Sequence, residues 1–181
     1  PVFSAGNAGP GSGTSVSPSD NPGAFPVGGV DAAADVMSGS SRGPSACDGG
    51  VFPALVAPGE NVLTTDKTFG GVFPTATATV SGTSFAAPHV AGAAALLLEA
   101  HPQASVDQLE AALRAGGSDL GVVGPDHDSG WGLLDVVAAE AALAVLLEGP
   151  GAGRTYTAEP AVQAALAGRD THSEGFAAEV A

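Results

Sequence analysis

Short apolar runs separated by turns rich in Gly and Pro dominate the first 83 residues of the chain. Several of the runs are almost continuously apolar, which is typical of strands buried on both faces of a parallel sheet. Because turn residues bound each run, the pattern predicts five strands. They are Pro1–Ser4, Phe25–Val30, Ala54–Ala57, Val62–Thr65 and Thr77–Ser81.

Longer apolar or amphipathic segments follow and predict three helices. The second has the clearest signals, because Ser105 and Gln108 have the spacing of a capping box and Gly116 follows the last apolar position. Strands followed by helices, without heptads or internal repeats, predict an α/β layer fold. The helices are expected from Ser84 to about Ala100, between Ser105 and Gly116, and from about Leu134 to Leu147.

The chain is strongly acidic, with 19 Asp and Glu residues against 5 Lys and Arg and a formal net charge of −14. This balance argues against nucleic acid or an anionic membrane surface as a partner. No stretch reaches the ~20 apolar residues that a membrane helix needs. The composition fits a secreted protein or one that stays soluble in high salt. Cys47 is the single cysteine, so no intrachain disulfide is expected, and we interpret it as an inert loop thiol.

Residues 80–92, which read VSGTSFAAPHVAG, contain the most informative position. Ser84 follows a Gly-Thr turn at the start of an apolar helix. Free backbone N–H groups and the positive end of the helix dipole there stabilise an oxygen that becomes anionic during attack on a carbonyl. The alternative is an N-cap serine that only completes a helix end. That alternative does not explain the Pro-His-Val sequence and the small residues that follow, so Ser84 is a candidate nucleophile.

The segment 80–92 resembles the catalytic-serine motif of the subtilisin-like serine proteases, the subtilases. Residues 4–7, which read SAGN, resemble the oxyanion-hole segment of that family. The resemblance implies that Asn7 donates a side-chain N–H to the substrate carbonyl together with the backbone N–H of Ser84. It extends over residues 1 to about 148 and implies a three-layer subtilisin-like fold with a mostly parallel sheet. Residues 40–45 (SSRGPS), with Gly-Pro-Asp at 124–126, are most similar to the bacillopeptidase F branch.

By the same resemblance, Ser4, Ala5 and Gly6 border the S1 pocket and Val16 lies near its floor. A valine there shortens the pocket, so we expect a preference for small or medium apolar P1 residues. The family often has a cis bond at the position of Ser17-Pro18, although only ~5% of X-Pro bonds are cis in general.

A serine nucleophile needs a base and a group that orients the base. Subtilases supply them from an Asp-Thr/Ser-Gly motif and a His-Gly-Thr motif before the serine, and this chain has neither there. All four histidines follow Ser84. His89 is expected to point away from the serine and to be packed or hydrogen-bonded. His101 is expected at a helix end, and His127 and His172 in loop or tail.

Asp128-Ser129-Gly130 imitates the aspartate motif, but it follows the serine in a polar loop and predicts a turn. Asp126 and Asp128 could bind a cation, but they do not have the spacing of an EF-hand loop. The sequence therefore predicts no metal ligand. Calcium is frequent in the resembling family, but its ligands are not readable here, and no cofactor is expected to be required.

The chain begins at Pro1 within an apolar segment, without Met or a signal-type sequence. We therefore expect the N-terminal part of the domain, with the Asp and His, to be missing. Residues 1–149 are expected to form the C-terminal portion of a subtilase catalytic domain. Residues 150–181, which have poor periodicity, are expected to be a tail or linker.

The resemblance implies that the intact protein is a secreted, monomeric serine endopeptidase that cleaves protein or peptide substrates through an acyl-enzyme on Ser84. This chain alone is expected to be inactive and, with one exposed sheet edge, poorly soluble. Sedolisins share Ser-Gly-Thr-Ser but use a Glu/Asp pair and an oxyanion-hole Asp, so Asn7 and the Pro-His-Val-Ala-Gly continuation favour a subtilase. The alternative of another class is a non-catalytic subtilase homologue that acts as a binding or structural protein.

Overall fold

A computed structural model describes residues 1–66 and 76–148 of the chain. Each predicted strand and helix is found there, with bounds within two residues of those expected. The predicted tail 150–181 and its His172 lie outside the described residues. The elements are β1 (Val2–Ser4), β2 (Phe25–Val30), β3 (Leu55–Pro58), β4 (Val62–Thr65), β5 (Thr77–Val80), α1 (Thr83–Ala100), α2 (Val106–Ala115) and α3 (Val136–Glu148).

Strands β1, β2 and β3 form a parallel sheet in that order, which confirms the predicted α/β fold. The central strand β2 is buried along its whole length, as its continuous apolar run predicts. A Cβ atom on Gly28 would lie about 3 Å from Ser40, Pro53 and Val56, so the loop between β2 and β3 packs closely on one face of the sheet. The helices cover the other face.

The two edges of this sheet differ. The outer edge of β3 is covered, because the Val56 N–H donates to the Gly132 carbonyl (3.0 Å) and the Leu134 N–H donates to the Val56 carbonyl (2.9 Å). Strand β1 pairs only with β2 among the strands of the described ranges, and its three residues are half-buried. The edge at β1 is therefore open, next to the candidate site.

Strands β4 and β5 pair antiparallel in a separate two-stranded sheet. Their residues alternate between exposed and half-buried, as expected for a ribbon with one solvated face. Gly82 follows β5, and its N–H donates to the Gly59 carbonyl (2.7 Å) just after β3. The ribbon therefore brings the start of α1 back to the carboxyl end of the parallel sheet.

Helix α1 packs on the parallel sheet, while α2 and α3 pack mainly on each other. Its buried positions Ala86, Val90, Ala93 and Leu97 recur every three or four residues and form one face. None of the described helices combines the length and the apolar character needed to cross a membrane. The core joins β2 and β3 to all three helices, and its largest members are Phe25, Val27, Leu55, Val90, Leu97, Leu109, Leu113, Leu143 and Leu146.

The helix ends follow local chemistry. The predicted capping box is present, because the Gln108 N–H donates to Ser105 Oγ (3.2 Å) and the Ser105 N–H donates to Gln108 Oε1 (2.9 Å). Helix α3 begins at Val136 rather than at Leu134. The Asp135 carboxylate accepts from the N–H groups of the second and third helical residues at 2.9 and 3.0 Å and so fixes the start.

Candidate active site

Ser84 is the second residue of α1, and its side chain is exposed. Gly82 precedes the helix with φ +145, a conformation that favours glycine. Amides in the first turn of a helix have no acceptor within the helix, and the helix dipole places partial positive charge there. The backbone N–H of Ser84 is therefore in a position where it can donate to a developing oxyanion.

Asn7 follows β1 at the carboxyl end of the sheet, and its contacts lead directly to the start of α1. Its Oδ1 accepts from the backbone N–H of Thr83 (3.0 Å) and from Thr83 Oγ1 (3.1 Å). Because an N–H donates only to the oxygen of an amide, these bonds fix which way the side chain faces. The Nδ2 group is then the end of Asn7 that is turned away from Thr83, as a donor for another group.

Thr83 also belongs to the candidate site, although the sequence did not indicate a role for this residue. Its side chain is fully buried, and its Oγ1 accepts from the Gly6 N–H (3.2 Å) while donating to Asn7. Thr83, which directly precedes Ser84, thus joins the segment 4–7 to the start of α1. Its place inside the 80–92 motif was a signal, but a partner 76 residues away in sequence was not readable.

The predicted pocket residues surround Gly6. Gly6 has φ +108, and a Cβ atom on it would lie 2.6 Å from Val16 Cγ2, so Val16 packs directly on this glycine. Val16 is 41% exposed. Ser4 is the last residue of β1, whereas Ala5 is fully buried, including its backbone. The Ser17-Pro18 bond is cis, as in the resembling family.

The described histidines lie away from Ser84 or have other partners. His89 is exposed, and its Nδ1 is 2.9 Å from the Phe85 carbonyl one turn earlier in α1. His101 ends α1, as predicted, and its Nε2 is 3.3 Å from Glu140 Oε1 in α3. His127 is exposed in the loop before α3, where its carbonyl accepts from the Gly43 N–H.

Asp128 lies in a turn, as predicted, and makes an ion pair with Arg42 (2.9 Å) that the sequence did not indicate. Neighbouring Asp126 Oδ1 accepts from the Asp128 and Ser129 N–H groups and so completes the turn. Within residues 1–66 and 76–148, no three His, Cys, Asp or Glu side chains are grouped to hold a metal ion.

Cys47 is exposed in the loop between β2 and β3. Partial desolvation, together with the carboxylates of Asp20 and Asp48, raises the pKa of its thiol. A backbone N–H from Gly50 lowers the pKa of Asp48, which keeps that carboxylate charged. A raised thiol pKa reduces the thiolate fraction and hence the reactivity, which fits the interpretation of an inert loop thiol.

This chain is similar to one known protein family and to individual proteases. The family model described as "Peptidase S8: Subtilase family" matches residues 1–132. Minor extracellular protease Vpr of Bacillus subtilis (strain 168) is 32% identical over 144 residues, which cover 77% of this chain and 17% of Vpr. Bacillopeptidase F of the same strain is 36% identical over 118 residues, which cover 61% of this chain and 8% of that protein.

A solved protease has the same fold. The structure of the prenylagaramide maturation protease PagA superposes with a TM-score of 0.62 and 26% sequence identity, covering 77% of this chain and 49% of PagA. The chain thus spans less than a fifth of each of these two Bacillus relatives and about half of the solved protease.

Proposed function

Because the chain belongs to the subtilase family of serine peptidases, we propose that the complete protein is a serine endopeptidase whose nucleophile is Ser84. The observation that carries this proposal is the bonding of Asn7 Oδ1 to Thr83, the residue before Ser84. It connects a side-chain amide donor and a helix N-terminus, two groups that can stabilise one oxyanion.

In the proposed reaction, Ser84 Oγ attacks the carbonyl carbon of the scissile peptide bond and a base takes its proton. The carbonyl oxygen becomes negative and accepts from Asn7 Nδ2 and from the Ser84 N–H. Collapse of the tetrahedral intermediate expels the amine, which takes the proton from the base, and water then hydrolyses the acyl-enzyme. These steps draw on side-chain and backbone groups, so we propose that no cofactor is required.

We propose that the base is a histidine, oriented by an aspartate, and that both lie outside residues 1–181. The histidines described here support this, since the His89 ring is next to the Phe85 carbonyl and the His101 ring is next to Glu140. The chain on its own then has a nucleophile and oxyanion donors but no base, and it should not hydrolyse peptides at a rate typical of a triad.

For specificity, we propose that the S1 pocket is short. Val16 packs on Gly6, in the segment that we assign to the pocket wall, and its branched side chain occupies volume that a long P1 side chain would need. Peptides with Ala, Val or Leu at P1 should have higher kcat/KM than peptides with Lys or Arg. A clear advantage of Lys or Arg would refute this pocket.

The complete protein is proposed to act outside the cell as a monomer on protein or peptide substrates. Vpr is named as an extracellular protease, which supports secretion. The net charge of −14 is consistent with a protein whose partners are not nucleic acids.

The test is hydrolysis of chromogenic peptide anilides by the complete gene product. Ser84→Ala should reduce kcat by ~10⁶, the size of effect known for a subtilisin nucleophile. Ser81→Ala is the matched control, because Ser81 is an exposed neighbour whose Oγ accepts from the Asn61 N–H, and it should keep its activity. A complete protein without peptidase activity would favour the non-catalytic homologue, whereas equal activity after Ser84→Ala would show that Ser84 is not the nucleophile.

A further inference from the structure

We propose that Ser41 is a positioning residue for Asn7, because it is hydrogen-bonded to the backbone on both sides of Asn7. This inference rests on the proposed function, because Asn7 matters for catalysis only if Ser84 is the nucleophile. Ser41 is in the loop between β2 and β3, 34 residues after Asn7 in the sequence, and its side chain is fully buried.

Ser41 bonds to both neighbours of Asn7. Its backbone N–H donates to the Gly6 carbonyl (2.9 Å), and its Oγ accepts from the Ala8 N–H (3.1 Å). One residue thus fixes the chain immediately before and immediately after Asn7. The Cα atom of Asn7 lies between two anchored peptide groups, and its side chain leaves the backbone from a defined point.

The two segments are also in close steric contact. Ser41 Oγ lies 2.8 Å from the place where a Cβ atom on Gly6 would be, so glycine is needed for this approach. One residue further along, the Gly9 N–H donates to the Gly39 carbonyl (3.0 Å). Gly39 and Ser41 therefore support the whole turn that carries Asn7, rather than a single atom of it.

Ser41 and Thr83 constrain different parts of Asn7. Thr83 holds the side-chain oxygen and sets the rotation of the amide, whereas Ser41 holds the flanking backbone and sets its position. Both are needed, because an oxyanion donor acts at ~2.7–3.1 Å from the charge. A displacement of ~1 Å in such a site costs ~100-fold in rate.

The experiment measures kcat and KM of the complete protein with a chromogenic peptide that has Ala or Leu at P1. Ser41→Ala leaves the Ala8 N–H without its acceptor, and we expect kcat to fall about tenfold while KM changes less than about twofold. Ser40→Ala is the matched control. Ser40 is equally buried, and its Oγ accepts from the Gly29 N–H (3.1 Å) in β2, away from Asn7.

A double-mutant cycle separates positioning from general stability. In an Asn7→Ala background, Ser41→Ala should cause no further loss of kcat, because the group that it positions is gone. An equal loss with and without Asn7, or an equal loss in the Ser40→Ala control, would overturn the proposal. If Ser41→Ala does not fold, Ser41→Cys, which keeps a weak acceptor at this place, enters the same cycle with the same criteria.

Hydrogen exchange of the complete protein gives a readout that does not depend on activity. The amide of Ala8 should exchange faster in Ser41→Ala and at the wild-type rate in Ser40→Ala. If this is found in a protein that has no peptidase activity, the proposed function fails while the positioning of Asn7 by Ser41 stands. Unchanged exchange at Ala8 would overturn the positioning itself, whatever the activity.

Discussion

The first turn of α1 and its later turns are surrounded very differently. At the first turn, buried Thr83 is bonded to Asn7 and to Gly6, and the sheet and the loop before β3 support both partners. Near the other end of the same helix, Leu97 is 1% exposed, but its neighbours Leu96 and Leu98 are 58% and 41% exposed. A helix that carries the candidate nucleophile thus also presents apolar side chains to solvent.

The difference separates a part of α1 that is supported within this chain from a part that is exposed. Asn7 Oδ1 and the backbone on either side of Asn7 have partners within the described residues, so this chain itself holds the side chain of Asn7. The exposed leucines of α1 and the open edge of β1 are features that a domain normally covers. We propose that protein outside this chain covers them and brings the base to Ser84.

Among the variants that compare the two parts of α1, the largest effect is expected at the first turn, where Thr83 is bonded to Asn7. Asn7→Ala in the complete protein should reduce kcat by ~10²–10³ with little change in KM, the size of effect known for the corresponding donor of a subtilisin. Asn21→Ala, at an exposed turn before β2, is the control and should be neutral. Steady-state kinetics with one peptide anilide measures both, and a normal kcat in Asn7→Ala would remove Asn7 from the mechanism.

The second prediction compares the buried and exposed faces of α1. Leu97→Ala in the complete protein should reduce the free energy of unfolding by ~2–5 kcal/mol, since it leaves a cavity in the core. Urea unfolding followed by circular dichroism gives the value. A loss below ~1 kcal/mol would mean that the α1 face assigned to the core is wrong.

Leu96→Ala tests whether other protein covers the exposed face of α1. If additional protein covers this face, the complete protein should lose more than ~1 kcal/mol, because burial of a leucine side chain contributes ~1.5–3 kcal/mol. Val137→Ala in α3, 80% exposed, is the control and should stay within ~0.5 kcal/mol. A Leu96→Ala loss as small as that of the control would show that the face stays in solvent.

The smallest effect is expected at a helix end far from the site. Ser105→Ala removes one bond of the capping box of α2 and should cost ~1 kcal/mol, with unchanged kcat and KM. Urea unfolding and peptide hydrolysis on the same preparation test both parts. A change in kcat would show that α2 influences the site, which we do not expect.

The strands and helices could be predicted from the sequence, because their signals are local. The apolar run of β2 and the capping box of α2 were identified because their patterns are contained within a few residues. The pairing of β4 with β5 as an antiparallel ribbon was not predicted, since the period of a strand does not define its neighbour. For the same reason the contacts of Thr83 and Ser41 with the Asn7 segment were missed, because their partners lie 33 to 77 residues away.

The most direct test is covalent labelling with a fluorophosphonate, which reacts with a serine only when a base activates it. The complete protein should gain one adduct, and mass spectrometry should locate it on Ser84, while Ser84→Ala gains none. Residues 1–181 alone should react no faster at Ser84 than at exposed Ser81. Rapid labelling of Ser84 in the chain alone, or no labelling in the complete protein, would contradict a nucleophile whose base comes from outside this chain.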